Sequence, residues 1–232
     1  MNNKVLHIEE TEEAVLLTLN RPEKRNALNK ILRIELYNAL ENFEDQKKVI
    51  IISGTGVAFC AGLDLNDNLD MHALDEFWSI VQQIRLSKSI IVGAINGIAI
   101  GGGLIIANVC DFAIGDHESR YGMPKVDTAR FPSLQSPLSK LKEGELGQPW
   151  KDITGQLIEP KEAFRMELIN HVSQRGALLQ DSFYFSKKFC EHEISDLIKA
   201  KKKANINLHR AYTSRESLAL GGRVARDFRN WL

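Results

Sequence analysis

Ala94-Ile-Asn-Gly-Ile-Ala-Ile-Gly-Gly-Gly-Leu-Ile-Ile-Ala107 carries an apolar strand into three consecutive glycines and out into an apolar helix. Just upstream, Ser89–Ile95 is β-branched and almost uncharged, the pattern of a strand buried on both faces. Asn96-Gly97 turns the chain. Gly101, Gly102 and Gly103 remove three side chains where the helix begins, so its first backbone N–H groups are unpaired and unscreened. Such a site holds negative charge. Two phosphate-binding motifs fail on spacing: a dinucleotide fingerprint starting at Gly101 needs glycine at Ile106, and a phosphate loop counted from Gly97 to Gly102 needs lysine at Gly103. A turn that merely lets a helix pack closely on a strand remains a second reading of the three glycines taken alone.

The stretch Gly54-Thr-Gly-Val-Ala-Phe-Cys-Ala-Gly-Leu-Asp-Leu65 is built alike. It follows a strand, Val49–Ser53, and leads into a helical pattern, with small residues at its tightest point. Three segments, Leu19-Asn-Arg-Pro-Glu-Lys-Arg-Asn-Ala-Leu28, Ala58–Leu65 and Asn96–Gly103, resemble the LNRPxxxNAL, AFxAGxDL and NGxAxGGG motifs of the crotonase (enoyl-CoA hydratase/isomerase) family, in that family's order and spacing. The resemblance is strong over residues 13–130, weaker at Thr154–Val172 and faint beyond. It implies an α/β fold: a crotonase-type spiral of ββα turns over residues 1–172, followed by a C-terminal helical trimerisation region at 173–232. No repeat period in the sequence shows the spiral independently.

At 232 residues, 44% hydrophobic and 26% charged, the chain has apolar material for one large core domain with an appendage. The formal net charge is zero, so whole-chain electrostatics point neither to nucleic acid nor to a membrane as partner. No apolar run approaches the roughly 18 residues of a membrane span, and Met1-Asn-Asn-Lys4 does not read as a signal peptide. A soluble, cytoplasmic protein is expected. Cys60, Cys110 and Cys190 lack metal-ligand spacing, so reduced thiols and no metal site are expected. Cys60 lies in the second loop, where it reads as a small apolar core residue rather than a nucleophile.

Along the chain, Lys4–Glu9 and Ala14–Leu19 alternate around Glu10-Thr-Glu-Glu13 and predict a hairpin. Asn29 can cap a helix with Leu32, Leu36, Leu40 and Phe43 on one face. A further helix near 72–86 lines up Leu74, Phe77, Ile80, Val81 and Ile84. The helix after the glycines reaches Val109, and Asp111–Gly115 is another strand.

The resemblance implies a mechanism. If an acyl-CoA carbonyl lies between two backbone N–H groups, a developing enolate or tetrahedral oxyanion is stabilised, and losing one such donor costs about 3 kcal/mol. By motif position the donors are Leu63 and Gly102, the latter helped by a helix dipole. Lys24, Arg25 and Ala27 match the segment that lies along the CoA moiety, although either basic side chain reads equally well as solvated surface charge. Ala61, Asp64, Leu65, Gly101, Ile105 and Pro124 are implied to line the substrate. Asp64 reads better as the cap of the following helix. Coenzyme A enters as part of the substrate, and no tightly bound cofactor is expected.

The departures from the family decide the chemistry. Its hydratases use two glutamates as general base and acid. Aligned through the glycines, the first falls on Ile105; aligned through Gly122-Met-Pro-Lys125, the second falls on Lys125. Isoleucine moves no proton, and a lysine near pKa 10.4 is a poor base unless burial lowers it. The expectation is therefore decarboxylation of a malonyl-type thioester or thioester hydrolysis. Lys125 is then a candidate to hold a carboxylate or protonate the product, and Asp127 a displaced acid or base. His72 and Asp67 are read as solvated helix positions that could reach the acyl group only if that helix faced inward. Two alternatives stand: a non-catalytic acyl-CoA-binding or assembly subunit, supported by Ser133-Leu-Gln-Ser-Pro137 where the family has a glycine-rich turn, and a hydratase or isomerase using another carboxylate.

The carrier can equally be an acyl carrier protein thioester, and the resemblance implies a homotrimer or hexamer. The basic C-terminal stretch, Lys199-Ala-Lys-Lys-Lys203 with Arg210, Arg215, Arg223, Arg226 and Arg229, is expected to pack on a neighbouring subunit. One branch of the family binds RNA, but aromatics are sparse here and nucleic acid is not expected.

Overall fold

The hairpin forms as β1 (Leu6–Glu10) and β2 (Ala14–Leu19), antiparallel with Leu6 opposite Leu19. This and the rest of the fold come from a computed structural model that describes residues 4–44, 49–122, 156–193 and 195–203. From β2 onward every strand of the large sheet is added in parallel: β3 (Val49–Gly54), β5 (Ile91–Ile95), β7 (Phe112–Asp116) and β9 (His171–Ser173), in spatial order β1-β2-β3-β5-β7-β9. Three short strands, β4 (Ala58–Cys60), β6 (Ile98–Ile100) and β8 (Arg120–Gly122), make a second parallel sheet. Each large-sheet strand from β3 to β7 thus passes into a small-sheet strand. A helix follows the first two such pairs, α2 (Met71–Leu86) and α3 (Gly102–Val109). This is the spiral of ββα turns.

The central strands read as unbroken apolar runs because both of their faces are covered. Val15, Leu17, Ile50, Ile52, Ile91 and Ile95 point to one side, into a core shared with α1 (Lys30–Phe43), α2 and α3. Ala14, Leu16, Val49, Ile51, Val92 and Ala94 point to the other. That second face is covered by α5 (Leu178–Cys190), which follows a short α4 (Pro160–Arg165). Phe112 of β7 meets Phe185 and Phe189 of α5 at ring-centroid distances of 4.9 and 5.6 Å. Ser182 and Ser186, fully buried, satisfy their hydroxyls on the carbonyls one turn back, at 2.7 and 2.8 Å.

Asn29 caps α1, its Oδ1 accepting from Leu32 N at 3.0 Å, and Leu32, Leu36 and Leu40 are buried as their spacing predicts. Two strand limits differ from expectation. The strand expected from Ser89 begins at Ile91, because Ser87 Oγ accepts from Ser89 N and folds the chain into a turn at the exit of α2. The strand expected from Asp111 begins at Phe112, because the Asp111 carboxylate turns aside to accept from Ile91 N at 2.9 Å.

Part of the basic C-terminal stretch finds partners within this chain. Residues 195–203 are helical, and Lys201 faces this chain's own core: Nζ donates to Ile84 O at 2.9 Å, Ser89 O at 3.0 Å and Asp111 Oδ2 at 2.8 Å. A cation at the carboxyl end of α2 meets both its free carbonyl and its dipole. Lys199 pairs with Asp196 on its own helix. The arginines from Arg210 onward lie outside the described residues.

Candidate active site

The small sheet brings the two glycine-bearing loops together. β4 and β6 pair in parallel, with Ala58 opposite Ile98 and Cys60 opposite Ala99. Two asparagines hold the connection from β3 to β4. Asn96 Oδ1 accepts from Gly54 N at 3.0 Å, while its Nδ2 donates to Gly56 O and Ala58 O at 3.0 and 3.2 Å. Asn26, fully buried, donates to Thr55 O and Ala58 O at 2.9 and 2.8 Å and accepts from Arg21 N. Gly97 is required where the loops cross, since a Cβ there would lie 2.2 Å from Val57 O.

Beyond β4 the chain reaches Gly62, whose φ of +86° suits glycine, and there touches the start of α3: a Cβ on Gly62 would sit 2.8 Å from Gly102 N. The next residue, Leu63, forms a one-residue parallel bridge with Leu28. In it Leu28 N donates to Gly62 O at 2.8 Å and Asp64 N donates to Leu28 O at 3.3 Å. A parallel pairing that grips the residues on either side turns the N–H of the middle one away. Leu63 N is therefore aimed off the bridge, and among the described residues it has no acceptor. Gly102 N, first in α3, likewise has none, whereas Gly101 N is satisfied by Gly122 O at 3.1 Å. Two unpaired backbone donors thus lie at the contact between two chain segments, one of them at a helix N-terminus. Gly101 (φ +55°) leaves the approach bare of described atoms: among the described residues nothing lies within 4 Å of where its Cβ would be. Leu63, Leu104 and Ile105 beside it are buried and apolar. Donors held in advance by backbone pairing, in an apolar setting, can stabilise charge that develops on a single oxygen.

Residues 9–220 match the family model for enoyl-CoA hydratase/isomerase. The chain belongs to the enoyl-CoA hydratase/isomerase family. It is similar to a crotonyl-CoA hydratase of Syntrophomonas wolfei, 33% identical over 192 residues that cover 75% of this chain and 71% of that protein. A probable enoyl-CoA hydratase of Rhizobium meliloti is 28% identical over 220 residues, 90% of this chain and 84% of that one. Among solved structures, an enoyl-CoA hydratase of Mycobacterium tuberculosis superposes with a TM-score of 0.80 at 27% identity, covering 98% of both chains.

In this enoyl-CoA hydratase/isomerase family member, ion pairs fasten the donor loop. Arg21 Nη1 donates to Asp64 Oδ2 at 2.9 Å and to Ala27 O, joining the 21–28 segment to the loop of Leu63. Burial pushes the Asp64 carboxyl up, but Arg21 and the Asn66 amide more than offset this and hold it below the usual carboxylate value. Asp64 is thus not the cap of the next helix. Asp70 is, accepting from Ala73 N at 3.0 Å, because it stands one residue before Met71. Asp67 is likewise committed, accepting from Lys30 N and from Arg33 Nη1, and His72 is exposed on the outside of α2.

Ala27 is buried and Ala61 half-buried, its N–H bound to Arg25 O at 3.0 Å, while Lys24, Arg25 and Leu65 are exposed. Arg25 and Asn26 both have positive φ, 51° and 55°, so this exposed segment is held in a sparsely populated conformation by the buried Asn26 amide. Pro124, Lys125, Asp127 and Phe131 lie outside the described residues.

Cys60 is buried, its Sγ accepting from Gly62 N at 3.4 Å, and burial pushes the thiol up to about 12. Only the thiolate reacts. Native protein at pH 8 is accordingly expected to release one equivalent of chromophore from a disulfide reagent, from the exposed Cys190, and two more only after denaturant is added. Rapid modification of Cys60 in the native protein, located by peptide mapping, would contradict this burial.

Proposed function

We propose that this protein takes an acyl-CoA, or an acyl carrier protein thioester, with its carbonyl oxygen between Leu63 N and Gly102 N, and that its reaction is decarboxylase- or thioesterase-like rather than hydration. The observation that carries this is the pair of unpartnered amides beside Ile105, which is 2% exposed and offers no proton-transfer group in the first turn of α3. Family membership and relatives named as hydratases of CoA thioesters support the thioester. Ile105 and Lys125, at positions that match the family's two glutamates, argue for chemistry that needs no such pair.

In decarboxylation the bond from Cα to the carboxylate carbon breaks, its electrons pass into the enolate held by the two amides, and a proton later returns to Cα. In hydrolysis, water adds to the carbonyl carbon, the same amides hold the oxyanion, and the C–S bond then breaks. Lys125 or Asp127 would hold the substrate carboxylate or supply the proton. Lys24, Arg25 and Ala27 would lie along the CoA, and Ala61, Leu65, Gly101 and Pro124 along the acyl end. The reading needs no tightly bound cofactor. A homotrimer or hexamer is proposed with it, and elution as a stable monomer on gel filtration would count against that.

The test is mass spectrometry after incubation with crotonyl-, malonyl-, methylmalonyl- and long-chain acyl-CoA, beside a Gly102→Pro variant checked for folding by circular dichroism. Loss of CO₂ or release of free CoA is expected, falling about 10²–10³-fold when the Gly102 donor is removed. Hydration of crotonyl-CoA at a substantial rate would overturn the reading of Ile105. No turnover of any thioester, with CoA still bound, would leave a binding or assembly role.

A further inference from the structure

Arg33 is among the most buried side chains described, 2% exposed, and it lies on α1, outside every motif that marks the site. A guanidinium is kept out of water only where its donors are matched. Here Nη1 donates to Leu28 O at 2.9 Å and to Asp67 Oδ2 at 3.1 Å, and Nε donates to Glu76 Oε2 at 2.8 Å. Each acceptor leads to the two free amides. Leu28 O is the carbonyl that also receives Asp64 N, so Arg33 fixes the strut that turns Leu63 N outward. Asp67 holds the far end of the same loop, its own N–H bound to Asp64 O at 3.0 Å. Glu76 is on α2 immediately before Phe77, whose ring supports the other donor: a Cβ on Gly102 would be 3.1 Å from Phe77 Cε2.

We propose that Arg33 is a positioning residue that sets the Leu63 and Gly102 amides relative to one another, by tying the Leu28 strut, the end of the donor loop and helix α2 to one buried cation. This rests on the oxyanion reading above. Leu28 anchors Leu63 and Phe77 backs Gly102, and among the described residues no backbone hydrogen bond joins those two supports directly; the guanidinium does. Loss of Arg33 would leave both amides present, with the β4 to β6 pairing still holding their loops together but the orientation of each amide less tightly set. The carboxylates of Asp67 and Glu76, with side chains 25% and 31% exposed, would then find water.

The test uses the full-length protein and a probe that is not turned over: a ketone analogue of butyryl-CoA with methylene in place of the thioester sulfur and ¹³C at the carbonyl. Infrared difference spectra report how strongly the bound carbonyl is polarised. Wild type is expected to lower the carbonyl frequency, and Arg33→Met to lose most of that shift while still binding the analogue by calorimetry. Lys201→Met is the control, because it too removes a cation whose side chain is only 4% exposed and which has three acceptors, but away from the two amides. It should lower the melting temperature and keep the full shift.

Retention of the shift in Arg33→Met, or an equal loss in Lys201→Met, would overturn the proposal. Should Arg33→Met fail to fold, Glu76→Gln keeps the cation paired with Asp67 and loosens only α2; a partial loss of the shift is expected, and none would overturn the proposal. A wild-type protein that binds the analogue without any shift would instead sink the oxyanion reading, and the role of Arg33 with it.

Discussion

Replacing Gly103 with alanine is expected to abolish folding rather than trim activity. A Cβ at this position would fall 2.0 Å from Cys60 O and 2.7 Å from Cys60 C, both backbone atoms of β4. That strand cannot retreat, since Ala58 O is held by Asn26 and Asn96 and the strand pairs with β6. The helix cannot retreat either without opening the contact between Gly62 and Gly102. The cost should exceed about 4 kcal/mol, a large share of the roughly 5–15 kcal/mol that holds a domain together. Soluble yield and the urea midpoint measure it. Gly101→Ala is the comparison: among the described residues nothing lies within 4 Å of its Cβ position, and the φ of +55° opposes the change at a cost of about 1–3 kcal/mol. A Gly103→Ala protein with the wild-type midpoint would show that α3 does not approach β4 this closely.

Arg21→Met is the second large effect, and its size depends on pH. In the wild type the folded-state pKa of Asp64 is depressed, so the stability it contributes is fully present above the unfolded value, 3.8, and is lost as pH falls through the lower folded value. Without Arg21, burial is opposed only by the Asn66 groups, so the folded pKa rises from its depressed value. The stability that the paired carboxylate contributes is lost with the pair. Urea unfolding should show a deficit of about 3–5 kcal/mol at pH 7, the cost of stranding a buried charge, which narrows as pH falls through the variant's higher folded pKa towards the lower one of the wild type. A second change, Asp64→Asn, should recover part of the pH 7 deficit. A deficit that does not vary with pH would mean that Arg21 acts through Ala27 O and packing alone.

The two loops that carry the Leu63 and Gly102 amides are legible because their glycines are close together in sequence and leave a pattern. What fastens them is not. Arg33 follows Leu32 on an amphipathic helix, where periodicity would place a charged side chain in water. Its burial rests on carboxylates 34 and 43 positions away, together with the Leu28 carbonyl. Asp64 hides its role in the same way: an aspartate shortly before a helical pattern suggests a cap, but its partner, Arg21, lies 43 positions upstream. Asn26 and Asn96 look like turn residues and are in fact cross-links between loops. The three-residue strands β4, β6 and β8 are too short to show alternation, so the small sheet leaves no pattern in the sequence. Lys201 is a buried cation within a run of lysines that composition alone assigns to the surface.

The parallel order of the large sheet has a kinetic consequence. Ile50 pairs with Ile91 and Ile114 with His171, so neither pairing forms until a long intervening stretch has closed into a loop. Chains rich in such distant contacts fold slowly. The two amides belong to segments that the β3 to β5 and β4 to β6 pairings bring together, so a partly folded chain does not hold them side by side. On the proposed function, thioester binding should therefore return during refolding only with tertiary structure, however early the helices form.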